Sequence, residues 1–89
     1  MANKNKNYLI HDLKEIVKSH GKEYLFPLDT EMVLDRYDDY INTQLLKLVI
    51  QKGKLILVSY TKDFGIEEDN LSDFHSDIVN DIYKVIVKE

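Results

Sequence analysis

Two apolar runs, Leu45-Leu46-Lys47-Leu48-Val49-Ile50 and Leu55-Ile56-Leu57-Val58-Ser59-Tyr60, are separated only by Gln51-Lys52-Gly53-Lys54. Runs of this length, β-branched and broken by a glycine-bearing turn, predict a β-hairpin with Lys52 and Gly53 at its tip. A two-residue loop then dictates the pairing. Ile50 faces Leu55, Leu48 faces Leu57 and Leu46 faces Ser59 on one side, while Val49 faces Ile56, Lys47 faces Val58 and Leu45 faces Tyr60 on the other. Both faces are mostly apolar, although a half-solvated antiparallel sheet normally alternates apolar with polar. Something other than water is therefore expected on each face: one helix on each, or both helices on one side and a partner on the other.

Helical spacing brackets this hairpin. Leu9, Ile10, Leu13, Ile16 and Val17 form one stripe, and Lys18, His20 and Gly21 supply the residues that favour a last turn and its exit, so a helix is predicted over about 8–20. Near the other end Leu71, Phe74, Ile78, Ile82 and Ile86 recur on one stripe, with Asp69, Asp73, Asp77 and Asp81 every fourth residue out of phase. This predicts an amphipathic helix with an acidic back, capped by Asn70 or Ser72. Asp69 and Asp73 would then gain from the positive end of the helix dipole, leaving Asp77 and Asp81 without a local benefit.

Between these elements Glu23–Leu28 is short, aromatic and apolar, and its Pro27 suits an edge strand or an extended linker. Residues 29–43 fit either a helical turn capped by Thr30 or a strand, turn and strand; the second reading is preferred because Tyr37 and Tyr40 flank the turn-forming pair Asp38-Asp39. Residues 61–68 read as a polar loop. The polar, aperiodic residues 1–7 read as a flexible leader, and 8–89 as one domain. The predicted fold is α+β, an antiparallel meander of three to four strands packed by an N-terminal and a C-terminal helix. A chain of 89 residues has room for one core only, burying roughly 60–65% of its unfolded surface.

Composition removes whole classes of chemistry. With no cysteine, thiol nucleophiles, disulfide scaffolds and cysteine-based metal sites drop out. Three glycines in all leave no phosphate loop, nucleotide-binding glycine pattern or serine elbow. Read as a calcium loop from Asp63, the chain places Gly65 at position three, Glu68 at position six and Phe74 at position twelve, against the ligand pattern. His11, His20 and His75 are expected at the edges of the helical stripes, and none has a second histidine four residues on. Ser19-His20 and His75-Ser76 are neighbours that a helix points in different directions. No enzyme, metal or cofactor is predicted. Tyr8-Leu9-Ile10 runs straight into His11-Asp12, so no secretory signal is predicted, and no run is long enough to span a bilayer. A soluble, cytoplasmic protein is expected.

Net charge is −4, with seven acids and no lysine or arginine between 63 and 81. That distribution disfavours direct contact with nucleic acid. Two interaction readings remain. The first is a small protein-interaction module, self-associating or binding a protein partner through a sheet face made of Tyr37, Tyr40, Leu45, Val49, Ile56, Val58 and Tyr60. The alternative is an acidic nucleic-acid mimic or inhibitor: carboxylates four apart on a helix lie about 6 Å from each other, near the phosphate spacing of a strand, and Asp77 and Asp81 would face a basic partner. The leading helix, the Tyr37-Asp38-Asp39-Tyr40 turn, the Gly53 hairpin and the closing Leu71-Ser72-x-Phe74-x-x-Asp77-Ile78 segment resemble small uncharacterised proteins of gut Bacteroidetes and their mobile elements. That resemblance implies no activity and transfers no functional residue.

Overall fold

A computed structural model describes residues 5–36 and 39–87. It contains helix α1 (Lys6–Ser19), strands β1 (Glu23–Leu25), β2 (Glu31–Arg36), β3 (Asp39–Gln51), β4 (Lys54–Thr61) and β5 (Gly65–Asn70), a 3-10 turn (Leu71–Asp73) and helix α2 (Ser76–Val87). All strand pairings are antiparallel, in the order β1-β3-β4-β5, with β2 also on β3. Because β1 pairs with the second half of β3 and β2 with its first half, the two act as one edge strand interrupted at 26–30. The predicted α+β meander closed by two terminal helices is thus the observed fold.

The first helix starts two residues before the predicted point, so Asn5, Lys6 and Asn7 of the expected leader belong to its first turn. Asn5 caps it, its side chain accepting from the Asn7 N–H. Its end follows from Gly21, whose φ of +76° is open to glycine at little cost. Gly21 N–H donates to Lys18 C=O and Lys22 N–H to Val17 C=O, which satisfies two of the last carbonyls and turns the chain straight into β1. Leu9, Leu13 and Val17 of the predicted stripe are almost wholly buried.

At the hairpin tip Lys52 and Gly53 have φ of +52° and +76°, both positive as the tight primed turn between twisted strands requires. A Cβ on Gly53 would meet nothing within 4 Å, so the cost of adding one is conformational alone. Gly53→Ala should lower stability by about 1 kcal/mol, and Lys52→Asn should raise it by some tenths of a kcal/mol. Urea unfolding midpoints of the two variants, shifted in opposite directions, check this.

Residues 61–70 overturn one expectation. Instead of a polar loop leading into a long helix, Gly65–Asn70 pairs with β4 from Thr61↔Gly65 to Ile56↔Asn70. Acids and asparagine are poor strand formers, but pairing along β4 satisfies the backbone of both segments, and Glu68 stays exposed on the open face while Glu67 and Asp69 are half-buried at inward positions. Asn70 still caps, its side chain accepting from Ser72 N–H, but the element it caps is the 3-10 turn. Leu71 and Phe74 remain buried as the stripe predicted, though Phe74 is extended and α2 begins only afterwards.

One core holds Leu9, Leu13 and Val17 of α1, Leu48, Leu55 and Leu57 of the central hairpin, and Val79, Ile82 and Ile86 of α2. The helices therefore share a single face of the sheet. Three hydrogen bonds tie the helical layer together: Tyr83 Oη donates to Asp12 Oδ2 at 3.2 Å, and Lys6 Nζ donates to the carbonyls of Ser72 and Phe74.

Candidate interaction surface

With both helices on one side, the opposite face of the sheet is left open. The register identifies its rows. Leu25, Lys47, Val58 and Glu68 lie side by side across β1, β3, β4 and β5; Glu23, Val49, Ile56 and Asn70 form the row nearer the hairpin tip; and Glu31, Gln44, Tyr60 and Ile66 form the row on the far side. Val33 beside Asn42, and Tyr40, extend it along the β2–β3 hairpin. Of the residues expected on this face, Tyr40, Val49, Ile56, Val58 and Tyr60 are there. Tyr37 lies outside the described residues, and Tyr40 is paired with Asp35.

Leu45 is the correction. It lies on the inner face, 1% exposed and opposite Ser59, while Tyr60 pairs with Gln44. The predicted pairs Ile50↔Leu55, Val49↔Ile56, Leu48↔Leu57 and Lys47↔Val58 all occur, and then the register shifts between Leu45 and Lys47. The cause is a phase conflict. Ile50 and Leu48 need the inner face, and a regular strand would next turn Leu46 and Gln44 inward and Leu45 outward. Bulging at Leu46 lets Leu45 and Thr43 go inside and returns Gln44 to solvent, which avoids burying an amide.

Nine large hydrophobic residues stay exposed among the described residues, and five of them, Leu25, Val33, Tyr40, Tyr60 and Ile66, share this one face. Val49 and Val58 in its middle are 9% and 6% exposed yet stand apart from the core beneath the helices. Their register neighbours on the same face include Leu25, Lys47, Ile56 and Tyr60. Lys47 Nζ forms an ion pair with Glu23 Oε2 at 2.9 Å, and Asn42 Nδ2 donates to the Glu31 carboxylate, Oε1, at 2.9 Å without neutralising it.

The bulge and the break between β1 and β2 fall side by side and open a groove of about 280 Å³ at the edge of this face. Leu25, Pro27, Leu28, Leu46 and the Lys47 stem line it with Phe26, Gln44 and Leu45. Phe26 N–H donates to Leu46 C=O and Leu45 N–H to Thr30 C=O, so the chain leaves the ladder at Phe26 and rejoins it at Thr30.

The other candidate residues do not come together. Asp69 is on strand β5 and Asp73 in the 3-10 turn, so the four aspartates share no helix and only Asp77 and Asp81 remain one turn apart on α2. Asp77 is in the first turn of α2, so it takes the favourable place at the helix N-terminus that Asp69 and Asp73 were expected to hold. The histidines are exposed rather than at the core's edge. His75 immediately precedes α2, its Nδ1 accepting from Asp77 N–H at 3.2 Å. His20 and Ser19 do meet, at 3.3 Å, because His20 lies beyond the helix end, yet Ser19 Oγ donates to Ile16 C=O at 2.6 Å and His20 Nδ1 sits 2.9 Å from the same oxygen. Both groups are thereby occupied in closing a helix terminus. Among the described residues no three His, Asp or Glu side chains converge as metal ligands, and no helix is long and apolar enough to cross a membrane.

No protein-family model, no curated protein and no solved structure matches this chain.

Proposed function

We propose that this protein is a small non-catalytic interaction module that self-associates through the open face of its sheet. The observation that carries this reading is the gathering of Leu25, Val33, Tyr40, Tyr60 and Ile66, all exposed, on the face opposite both helices. Apolar surface so concentrated marks a contact site rather than ordinary scatter. With Leu28 at its margin, the exposed surface of these residues is on the order of 800 Å², the scale each partner contributes to a standard interface. Tyrosines at such a site bring large area with little rotamer freedom to lose.

A second copy suits the face for two further reasons. The Lys47–Glu23 ion pair cancels the charge beside Val49 and Val58, so like copies are not driven apart at the centre of the face. Lateral growth is discouraged on both edges: β5 carries Glu67, Glu68 and Asp69, and the opposite edge is broken at Pro27. Face-to-face closure about a two-fold axis ends at a dimer. Sedimentation velocity between about 1 and 100 μM, the range where interfaces of this size commonly assemble, should show a concentration-dependent dimer. A monomer throughout would overturn the proposal.

A further inference from the structure

We infer that the loop from Phe26 to Thr30 anchors this dimer, Leu28 of each protomer seating in the groove beside Leu25 and Leu46 of the other. The inference rests on the self-association reading above and adds the contact that sets its geometry. Leu28 is 92% exposed, more than any other large hydrophobic residue described. A flexible loop would explain that cheaply, but this loop is held at both ends and across its turn. Phe26 N–H bonds Leu46 C=O at 3.0 Å, Leu45 N–H bonds Thr30 C=O at 2.8 Å, and both the N–H and the hydroxyl of Thr30 donate to Pro27 C=O. Between them Asp29 adopts a φ of +64°, a left-handed conformation that costs a non-glycine residue energy. The backbone is thus constrained into a shape whose visible consequence is a leucine held in water. Constraint of that kind removes the ordering cost a mobile loop would incur on binding.

The receptor is equally specific. At about 280 Å³ the groove is below the roughly 300–1,000 Å³ typical of small-molecule pockets, and its walls are mainly leucine, proline and phenylalanine with the Lys47 stem, a lining suited to an aliphatic side chain. It is continuous with the open face, since Leu25 and Lys47 belong to both. Knob and groove are neighbours on one surface, so a two-fold axis close to them seats both leucines at once and each substitution acts twice. A side chain desolvated in a fitted pocket contributes a large share of an interface's energy.

Sedimentation equilibrium of Leu28→Ala and Leu28→Asp tests this, with Phe64→Ala, an exposed residue of the turn between β4 and β5, as the control. The expected dissociation constant rises at least tenfold for Leu28→Ala and further for Leu28→Asp, while Phe64→Ala stays at the parent value and all three keep the parent circular dichroism. Dimerisation unchanged by either Leu28 substitution but abolished by Tyr60→Lys would overturn the anchor and leave the face reading standing. A parent protein that never dimerises would overturn both.

Discussion

Leu57→Ala should cost about 3 kcal/mol of folding stability, measured as a lower urea midpoint with an unchanged slope. Leu57 is fully buried opposite Leu48 at the centre of the inner face, within the cluster that holds α1 and α2. Truncation there removes buried methyl groups and leaves a cavity bounded by paired strands below and helices above, neither of which can collapse easily. Against a total of roughly 5–13 kcal/mol for a chain of this length, that loss corresponds to a melting temperature lower by roughly 12–24 °C. Leu25→Ala, the same chemical change at a residue 67% exposed on the other face, should stay within about 0.5 kcal/mol in the monomer. A larger loss at Leu25 than at Leu57 would mean that the faces have been assigned the wrong way round.

Tyr60→Lys should convert the dimer to monomer, weakening association by about 100-fold or more. Tyr60 is 43% exposed on β4, beside Gln44 and Ile66 and next to Val58 along the open face. In the monomer the lysine extends its stem across the sheet and keeps its ammonium in water, so folding stability should barely change. In the dimer the substitution would bring two ammonium groups of like charge into one two-fold contact, where each would have to be desolvated. Sedimentation at matched concentrations, with unfolding midpoints for each variant, separates loss of association from loss of fold. Val58→Lys supplies a second position in the same row as Lys47, and a dimer unaffected by both substitutions would remove the face from consideration.

The elements legible in the sequence are those whose signals are local. Leu9, Leu13 and Val17 recur at helical spacing, Gly21 marks the exit, and Lys52-Gly53 between β-branched runs leaves one tight turn open to the chain. From that turn outward, counting pairs correctly places Leu48 against Leu57 and Val49 against Ile56. The count fails at Leu46, because the bulge answers a conflict between two parts of β3 that becomes visible only once the inner face is known. Leu45 consequently moved from the expected contact surface to the core.

The C-terminal third shows the same limit more sharply. An aspartate every fourth residue beside an apolar stripe reads as one helix from 69 onward, yet β4 offers Gly65–Asn70 a strand to pair with, and such a non-local partner outweighs weak local propensity. The groove at Leu28 was equally illegible, for it arises where an interruption in one strand meets a bulge in its neighbour, positions far apart in the chain.

By itself, then, the amino-acid sequence determined the α+β class, the first helix and its stop, the central hairpin and the apolar character of both its faces. Periodicity and turn chemistry act over a few residues and need no knowledge of the rest of the chain. Only the tertiary structure decided that both helices cover the same face, that Leu45 turns inward and that Asp69 leaves the helix for a strand. Each of those outcomes depends on which distant segment satisfies a backbone or buries a side chain, and that choice turned two apolar hairpin faces into one core and one open surface.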